Sequence, residues 1–141
     1  MLLWFIGGAF TIVWFVFHDR ALPALTLTVG VLAPDVIDGV AGRLVTHSVV
    51  IAVGVMIVAM LATIGRRQQR KRLLMVPFGM MLHLVLDGVF SSTDVFWWPL
   101  TGAGSDHRSL PSLDRPWWMI VAMELLGLWG IVAFARRREE V

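Results

Sequence analysis

The sequence predicts an all-α integral membrane protein, a single domain over residues 1–141 that forms a bundle of four to five transmembrane helices. The composition predicts this class: hydrophobic residues make up 57% of the chain, charged residues only 16%, and the mean hydropathy is +0.77. Soluble domains average about 45–50% apolar and 25% charged residues. A small soluble protein exposes too much surface for so few charges, which argues against a soluble globule, a disordered chain and a nucleic-acid-binding domain.

Five apolar segments approach or exceed the roughly 20 residues that a helix needs to cross a bilayer. In chain order they are residues 1–17, 21–34, 44–64, 73–90 and 117–135. The first is slightly short, and it lacks the basic start and the small-residue cleavage site of a signal peptide. The second suits a short spanning helix or a re-entrant segment. We favour a spanning helix, because the short turn before it then places Arg20 inside.

The basic residues predict the orientation, because Lys and Arg are enriched in cytoplasmic loops. Eight of the twelve lie in residues 66–72 and 136–138, so both stretches are expected in the cytoplasm. This places residues 35–48 and the loop 91–116 outside. Tryptophans bracket that loop, as in an aromatic belt. The expected location is a bacterial-type inner membrane, crossed several times, with the C-terminus in the cytoplasm.

Ionisable side chains in apolar segments are costly in a bilayer, so each is a candidate functional residue. Asp35 and Asp38 lie three residues apart and share one face if this stretch is helical. A divalent cation would relieve their repulsion, as would a paired arginine, for which Arg43 is the nearby candidate. The alternative is a polar turn between helices, in which an aspartate side chain serves as a cap.

Two histidines extend this pattern. His47 opens the third apolar segment between Thr46 and Ser48, either as a functional residue or as an interfacial residue beside a capping hydroxyl. His83 and Asp87 lie four residues apart in an otherwise apolar segment, so the imidazole and the carboxylate share one helix face. Both could bind a metal, Asp87 could orient His83, or the two could form a buried structural pair.

The remaining ionisable residues allow more than one interpretation. His107 and Arg108 follow glycines in the external loop, where they contact an anionic substrate or are simply solvated. Glu124, in the middle of the last apolar segment, is a carboxylate in the bundle interior or a pairing partner for another side chain.

The predicted orientation brings five potential ligands to the outer side of the membrane: Asp35, Asp38, His47, Asp87 and, on the same helix as Asp87, His83. Histidine and carboxylate ligands suit Zn, with Mn or Fe as further possibilities, and the absence of Cys excludes a thiolate site. A site with open positions activates water and polarises a phosphoryl or acyl oxygen. Five ligands leave room for one or two ions.

Four motifs follow one another in a fixed order: Pro34-Asp35-x-x-Asp38, Arg43-x-x-Thr46-His47-Ser48, His83-x-x-x-Asp87 and Trp98-Pro99. Over roughly residues 25–100 this order resembles the YdjM-like family of membrane-bound metal-dependent hydrolases. The resemblance implies an enzyme distantly similar to zinc phospholipases C, with the five residues above as metal ligands. It makes Arg43, Thr46 and Ser48 candidates for contacts to the ligands or the substrate. Many family members have a further histidine at the N-terminus, which this chain lacks.

The sequence therefore predicts a membrane-embedded metal-dependent hydrolase, acting on phosphoesters of a lipid-borne or amphiphilic substrate at the outer side. Arg43 or Arg108 would steady the phosphate. Membrane lipid is an expected partner and nucleic acid is not. The main alternative is a small non-catalytic membrane subunit or adaptor whose His and Asp pairs are structural. A transporter is disfavoured, because its ionisable residues would spread through the depth of the membrane.

Overall fold

The computed structural model describes residues 1–18, 22–101 and 115–139, and all regular secondary structure in these ranges is helical. The helices in chain order are α1 (Leu2–Phe17), α2 (Ala24–Ala41), α3 (Val49–Ala62), α4 (Arg67–Asp87), the short α5 (Thr93–Phe96) and α6 (Trp117–Glu139). A 3-10 turn, Val89–Ser91, connects α4 to α5. The prediction of an all-α fold is confirmed for the described residues.

Helices form in all five predicted apolar segments, but several boundaries differ. The third segment becomes helical only at Val49, so His47 precedes the helix, and the fourth helix begins at Arg67 instead of residue 73.

The largest correction concerns the end of the second segment. α2 continues through Pro34 to Ala41, so Asp35 and Asp38 are helical and the interpretation as a polar turn between helices is wrong. Proline removes one helical hydrogen bond and bends a helix, but packing against a neighbour keeps the helix continuous. Pro34 is itself fully buried. The two carboxylates therefore project from one helix face, as the three-residue spacing requires.

α4 is the central helix of the bundle. It packs against α2 and α3, while α1 packs against α6 and also contacts α2 and α4. Leu82 belongs to a buried apolar cluster formed mainly by α1 and α2, and Leu84 belongs to a second cluster that includes Ala52 of α3. His83 lies between these two leucines, so the apolar core fixes its position from both sides.

Glycines bring paired helices into backbone contact. A Cβ atom at Gly30 of α2 would overlap the backbone carbonyl of Val76 in α4, and one at Gly79 would lie 2.7 Å from the carbonyl oxygen of Leu27. Small residues at helix contacts are the usual means of close packing between membrane helices. The α2–α4 contact is therefore short enough to bring Asp35 within reach of His83.

Replacing Gly30 with alanine should destabilise the protein by about 3 kcal/mol, because the new methyl group meets backbone that no rotamer change can move away. Unfolding in detergent, followed by tryptophan fluorescence, measures the change. Gly39→Ala is the matched control on the same helix, since a Cβ there meets nothing within 4 Å. Equal stability of the two variants would contradict the close contact.

In the part of the chain that the structure describes, two helices are long and apolar enough to cross a membrane: α2 over its full length and Trp117–Arg137 of α6. α1 and α3 are apolar but shorter, with 16 and 14 residues. Large apolar side chains cover the outward faces of the bundle; Phe15, Leu25 and Trp117 are each 77% exposed. Large contiguous apolar surface is rare on soluble monomers and marks contact with lipid or another protein.

Candidate metal centre

Ligand atoms from three parts of the chain form a nearly equilateral triangle. The Nε2 atoms of His47 and His83 are 3.3 Å apart, and Oδ1 of Asp35 lies 3.6 Å from the first and 3.5 Å from the second. In an ideal tetrahedral site with bonds of about 2.1 Å, typical of zinc with nitrogen and oxygen ligands, neighbouring ligand atoms lie about 3.4 Å apart. The triangle therefore matches one face of such a tetrahedron. The three residues form a group that could hold a metal ion.

The group is closed on the histidine side and open on the aspartate side. The side chains of His47 and His83 are 1% and 0% exposed, whereas that of Asp35 is 37% exposed. The ring of Phe5 covers His83, with the ring centroids 4.2 Å apart. A ligand would therefore enter from the side of Asp35, at the C-terminal half of α2.

Asp38 fixes the orientation of His47 and does not join the triangle. Its Oδ2 lies 2.6 Å from Nδ1 of His47, and its carboxylate also accepts hydrogen bonds from the backbone N–H groups of Thr46, at 2.9 and 3.0 Å, and of His47, at 3.2 Å. A carboxylate only accepts, so Nδ1 of His47 carries the hydrogen. In the neutral ring, Nε2 then presents its lone pair to the triangle. A carboxylate on the far nitrogen is the usual arrangement around metal-binding histidines.

Replacing Asp38 with asparagine should weaken metal binding by about 10- to 100-fold without abolishing it, because the ligands remain but one loses its orienting partner. Titration of the metal-free protein with Zn²⁺ against a competing chelator measures the affinity. Complete loss of binding would show that Asp38 is itself a ligand, and an unchanged affinity would mean that it does not act through His47.

Asp87 is the buried carboxylate beside the triangle. Asp87 lies one turn beyond His83 on α4 and is 1% exposed. Neither of its side-chain oxygens has a hydrogen-bond partner among the described residues. It does not join the group of ligand atoms within 4.8 Å of one another. Burial of a carboxylate without a partner costs several kcal/mol. The position therefore favours a nearby cation.

Thr46 and Ser48 support the turn that carries His47. The Thr46 hydroxyl donates to the carbonyl of Pro34 at 3.2 Å. Ser48 caps α3 by accepting from the Val50 N–H at 3.1 Å, and its hydroxyl contacts the backbone carbonyls of Phe96 and Trp98. Both hydroxyls are therefore engaged with backbone groups. The contact to Trp98 links the Thr-His-Ser motif to the Trp-Pro motif.

Of the two arginines expected to steady a phosphate, the structure describes only Arg43. Arg43 is exposed in the turn after α2, and Arg108, like His107, lies outside the described residues. Arg115 instead reaches the end of α4, where its Nη2 donates to the backbone carbonyl of Asp87 at 2.9 Å. Sequence reasoning missed this residue. The available signal was an arginine directly before the last helix, on the side where positive charge is not expected.

Glu124 does not join the triangle of ligand atoms. Its Oε2 accepts a hydrogen bond from the backbone N–H of Leu3 at 3.1 Å, so it joins α6 to the start of α1. His18 ends α1 in the left-handed conformation and is exposed. Neither residue contributes to the candidate centre.

Comparisons of this chain with protein-family models, with curated proteins and with solved structures find no match.

Proposed function

We propose that this protein is a membrane-embedded metal-dependent hydrolase that cleaves phosphoesters of lipid-borne or amphiphilic substrates. The observation that carries the proposal is the triangle formed by Asp35, His47 and His83, with His47 oriented by Asp38. Two buried imidazoles and a carboxylate facing one point are costly in an apolar bundle unless a cation offsets the cost. Zn fits the ligand types and spacing best, and Mn or Fe accept the same ligands.

The residues around the triangle suggest separate roles. Asp35, His47 and His83 would hold the ion, and Asp38 would keep Nε2 of His47 directed at it. When bound, the ion supplies a Lewis acid that polarises a phosphoryl oxygen and activates water. Asp87 is the buried acceptor left without a partner among the described residues, so its carboxylate would take the proton from that water.

Arg115 supports an anionic substrate. Its guanidinium is held at the end of α4 by two neutral contacts, the carbonyl of Asp87 and the sulfur of Met123. Arginine has five N–H donors in a geometry that matches phosphate oxygens. A phosphate group bound near the end of α4 would therefore meet a positive charge there. Arg108, which lies outside the described residues, is the second candidate from the sequence.

The proposal includes a multi-pass arrangement with four or five spanning helices in a bacterial-type inner membrane and a cytoplasmic C-terminus. The apolar, exposed faces of α1, α2, α3 and α6 support it. α4 begins in the basic cluster and ends at Asp87, so basic cluster and candidate centre lie at opposite ends of one helix. With the cluster inside by charge bias, the centre faces the outer half of the bilayer, where lipid substrates are accessible.

Hydrolysis by the purified, metal-loaded protein tests this function. Mixed phospholipids in detergent micelles are incubated with the Zn²⁺-, Mn²⁺- or Fe²⁺-loaded protein, and released phosphate compounds are followed by phosphorus NMR. Turnover is expected with at least one ion and should disappear with chelator. A protein that binds the ion but releases no product from any phospholipid class would contradict the hydrolase proposal.

The alternative is a non-catalytic membrane subunit, and one observation favours it. Asp38 bonds α2 to the turn before α3, and Ser48 bonds that turn to α5. Such hydrogen bonds hold a bundle together without any metal. In that case the purified protein would be folded and would contain no bound ion. Metal analysis of the purified protein therefore tests the structural alternative, and the hydrolysis assay tests catalysis.

A further inference from the structure

A cavity lined by arginines lies at the N-terminal end of α4, far from the candidate metal centre. This end is cytoplasmic in the proposed orientation. The cavity has a volume of about 310 Å³ and is bordered by Thr63, Gly65, Arg66, Arg67 and Arg70. Arg67 and His83 are separated by about 24 Å along the helix axis. The cavity therefore cannot serve the metal centre directly and needs its own explanation.

The charges around this cavity are unbalanced. Five of the seven residues 66–72 are basic, and the sequence contains no Asp or Glu between Asp38 and Asp87. Among the described residues, Arg66, Arg67 and Arg70 make no ion pair, and the Nε of Arg70 is buried without a hydrogen-bond partner. A buried donor of a charged group requires an acceptor. An anion would supply an acceptor and balance the charge.

The helix that borders the cavity adds to the positive potential. The first turn of α4 carries no acidic residue, and Arg66 at the N-cap provides no side-chain hydrogen bond. The unpaired N–H groups and the positive end of the helix dipole therefore face the same region as the three guanidinium groups. This combination suits phosphate oxygens, which arginine binds through two parallel hydrogen bonds.

Apolar side chains next to the cavity indicate the kind of anion. Leu61, Ile64 and Leu73 flank the basic cluster in sequence and are 63%, 67% and 42% exposed. A soluble phosphate compound would leave this apolar surface in water, whereas a phospholipid covers it with acyl chains. We propose that the cavity binds the phosphate headgroup of an anionic phospholipid whose chains lie against α3 and α4. The inference is independent of the metal centre but rests on the proposed membrane placement.

Lipid binding by the full-length protein tests the proposal. Native mass spectrometry of the delipidated protein in neutral detergent, titrated with phosphatidylglycerol or with phosphatidylcholine, gives the affinity for each lipid. The Arg67→Gln/Arg70→Gln variant should bind phosphatidylglycerol about tenfold more weakly or worse. Arg136→Gln/Arg137→Gln removes the same charge from the end of α6 and should change the affinity less than about twofold. Binding of phosphatidylcholine should be weak and unaffected in all three proteins.

Three outcomes would overturn the proposal. Equal losses in both double variants would mean general charge attraction, and displacement of the lipid by millimolar inorganic phosphate would identify a site for soluble phosphate. Should the cavity variant fail to fold, the wild-type protein is labelled with a photoactivatable phosphatidylglycerol carrying the reactive group near its headgroup. Crosslinks are expected in the peptide that contains residues 61–73, and labelling that avoids this peptide would contradict the site.

Discussion

Replacing His83 with alanine should reduce the bound divalent ion from about one per protein to less than about a tenth. Nε2 of His83 lies within 3.5 Å of both other ligand atoms, so its removal leaves two ligands on one edge. Two ligands do not hold an ion against competing chelators. The measurement is elemental analysis of the protein purified in detergent, after dialysis against a buffer that contains a weak chelator.

A cavity at position 83 also destabilises the bundle, so a second variant separates binding from folding. Asp35→Asn keeps the size of a side chain that is already 37% exposed, and it should lose the ion while its unfolding temperature stays close to that of the metal-free wild-type protein. His18→Asn is the control, because asparagine tolerates the φ of 49° at this position. Wild-type metal content in both His83→Ala and Asp35→Asn would refute the centre.

Hydropathy predicted the helices because each apolar segment is long and carries few ionisable residues. The end of α2 was not predictable in the same way. Proline commonly ends a helix, yet α2 continues past Pro34 to Ala41 in a helix that packs closely against α4 at Gly30. The apolar periodicity of a single segment cannot predict a helix boundary that depends on tertiary contacts.

The candidate centre was predicted at the level of residues but not of roles. Charge bias and helix spacing predicted the histidines and aspartates on one side of the membrane. Three of them, Asp35, His47 and His83, form the triangle. The spacing of Asp35 and Asp38 gave no means to tell a ligand from an orienting residue. That distinction depends on which ring nitrogen of His47 each carboxylate faces, and therefore on the turn between α2 and α3.

Arg115 illustrates the same limit. It lies 28 residues after Asp87 in the sequence, and their contact depends on how α6 returns to the end of α4. Nothing local to either residue predicts that contact.

The arginines of the cavity at the start of α4 were interpreted from the sequence only as an indication of topology. Their shared cavity and the buried Nε of Arg70 became visible only in three dimensions.

Replacing Asp87 with asparagine should leave the ion bound but lower the rate of phosphoester hydrolysis by about 100-fold or more, the usual contribution of a positioned base. Asparagine keeps the shape of the side chain and removes its ability to take up a proton. Since Asp87 lies outside the group of three ligand atoms, its charge assists the ion only at a distance. Affinity for Zn²⁺ should therefore fall less than about tenfold. This is a smaller loss than the one expected when an orienting partner such as Asp38 is removed.

The measurements are metal content and the hydrolysis rate of the same preparation, with Asp94→Asn of α5 as the matched control for loss of one carboxylate. A rate close to wild type in Asp87→Asn would mean that another group accepts the proton. Loss of the ion together with the rate would instead make Asp87 a ligand, as its four-residue spacing from His83 allows.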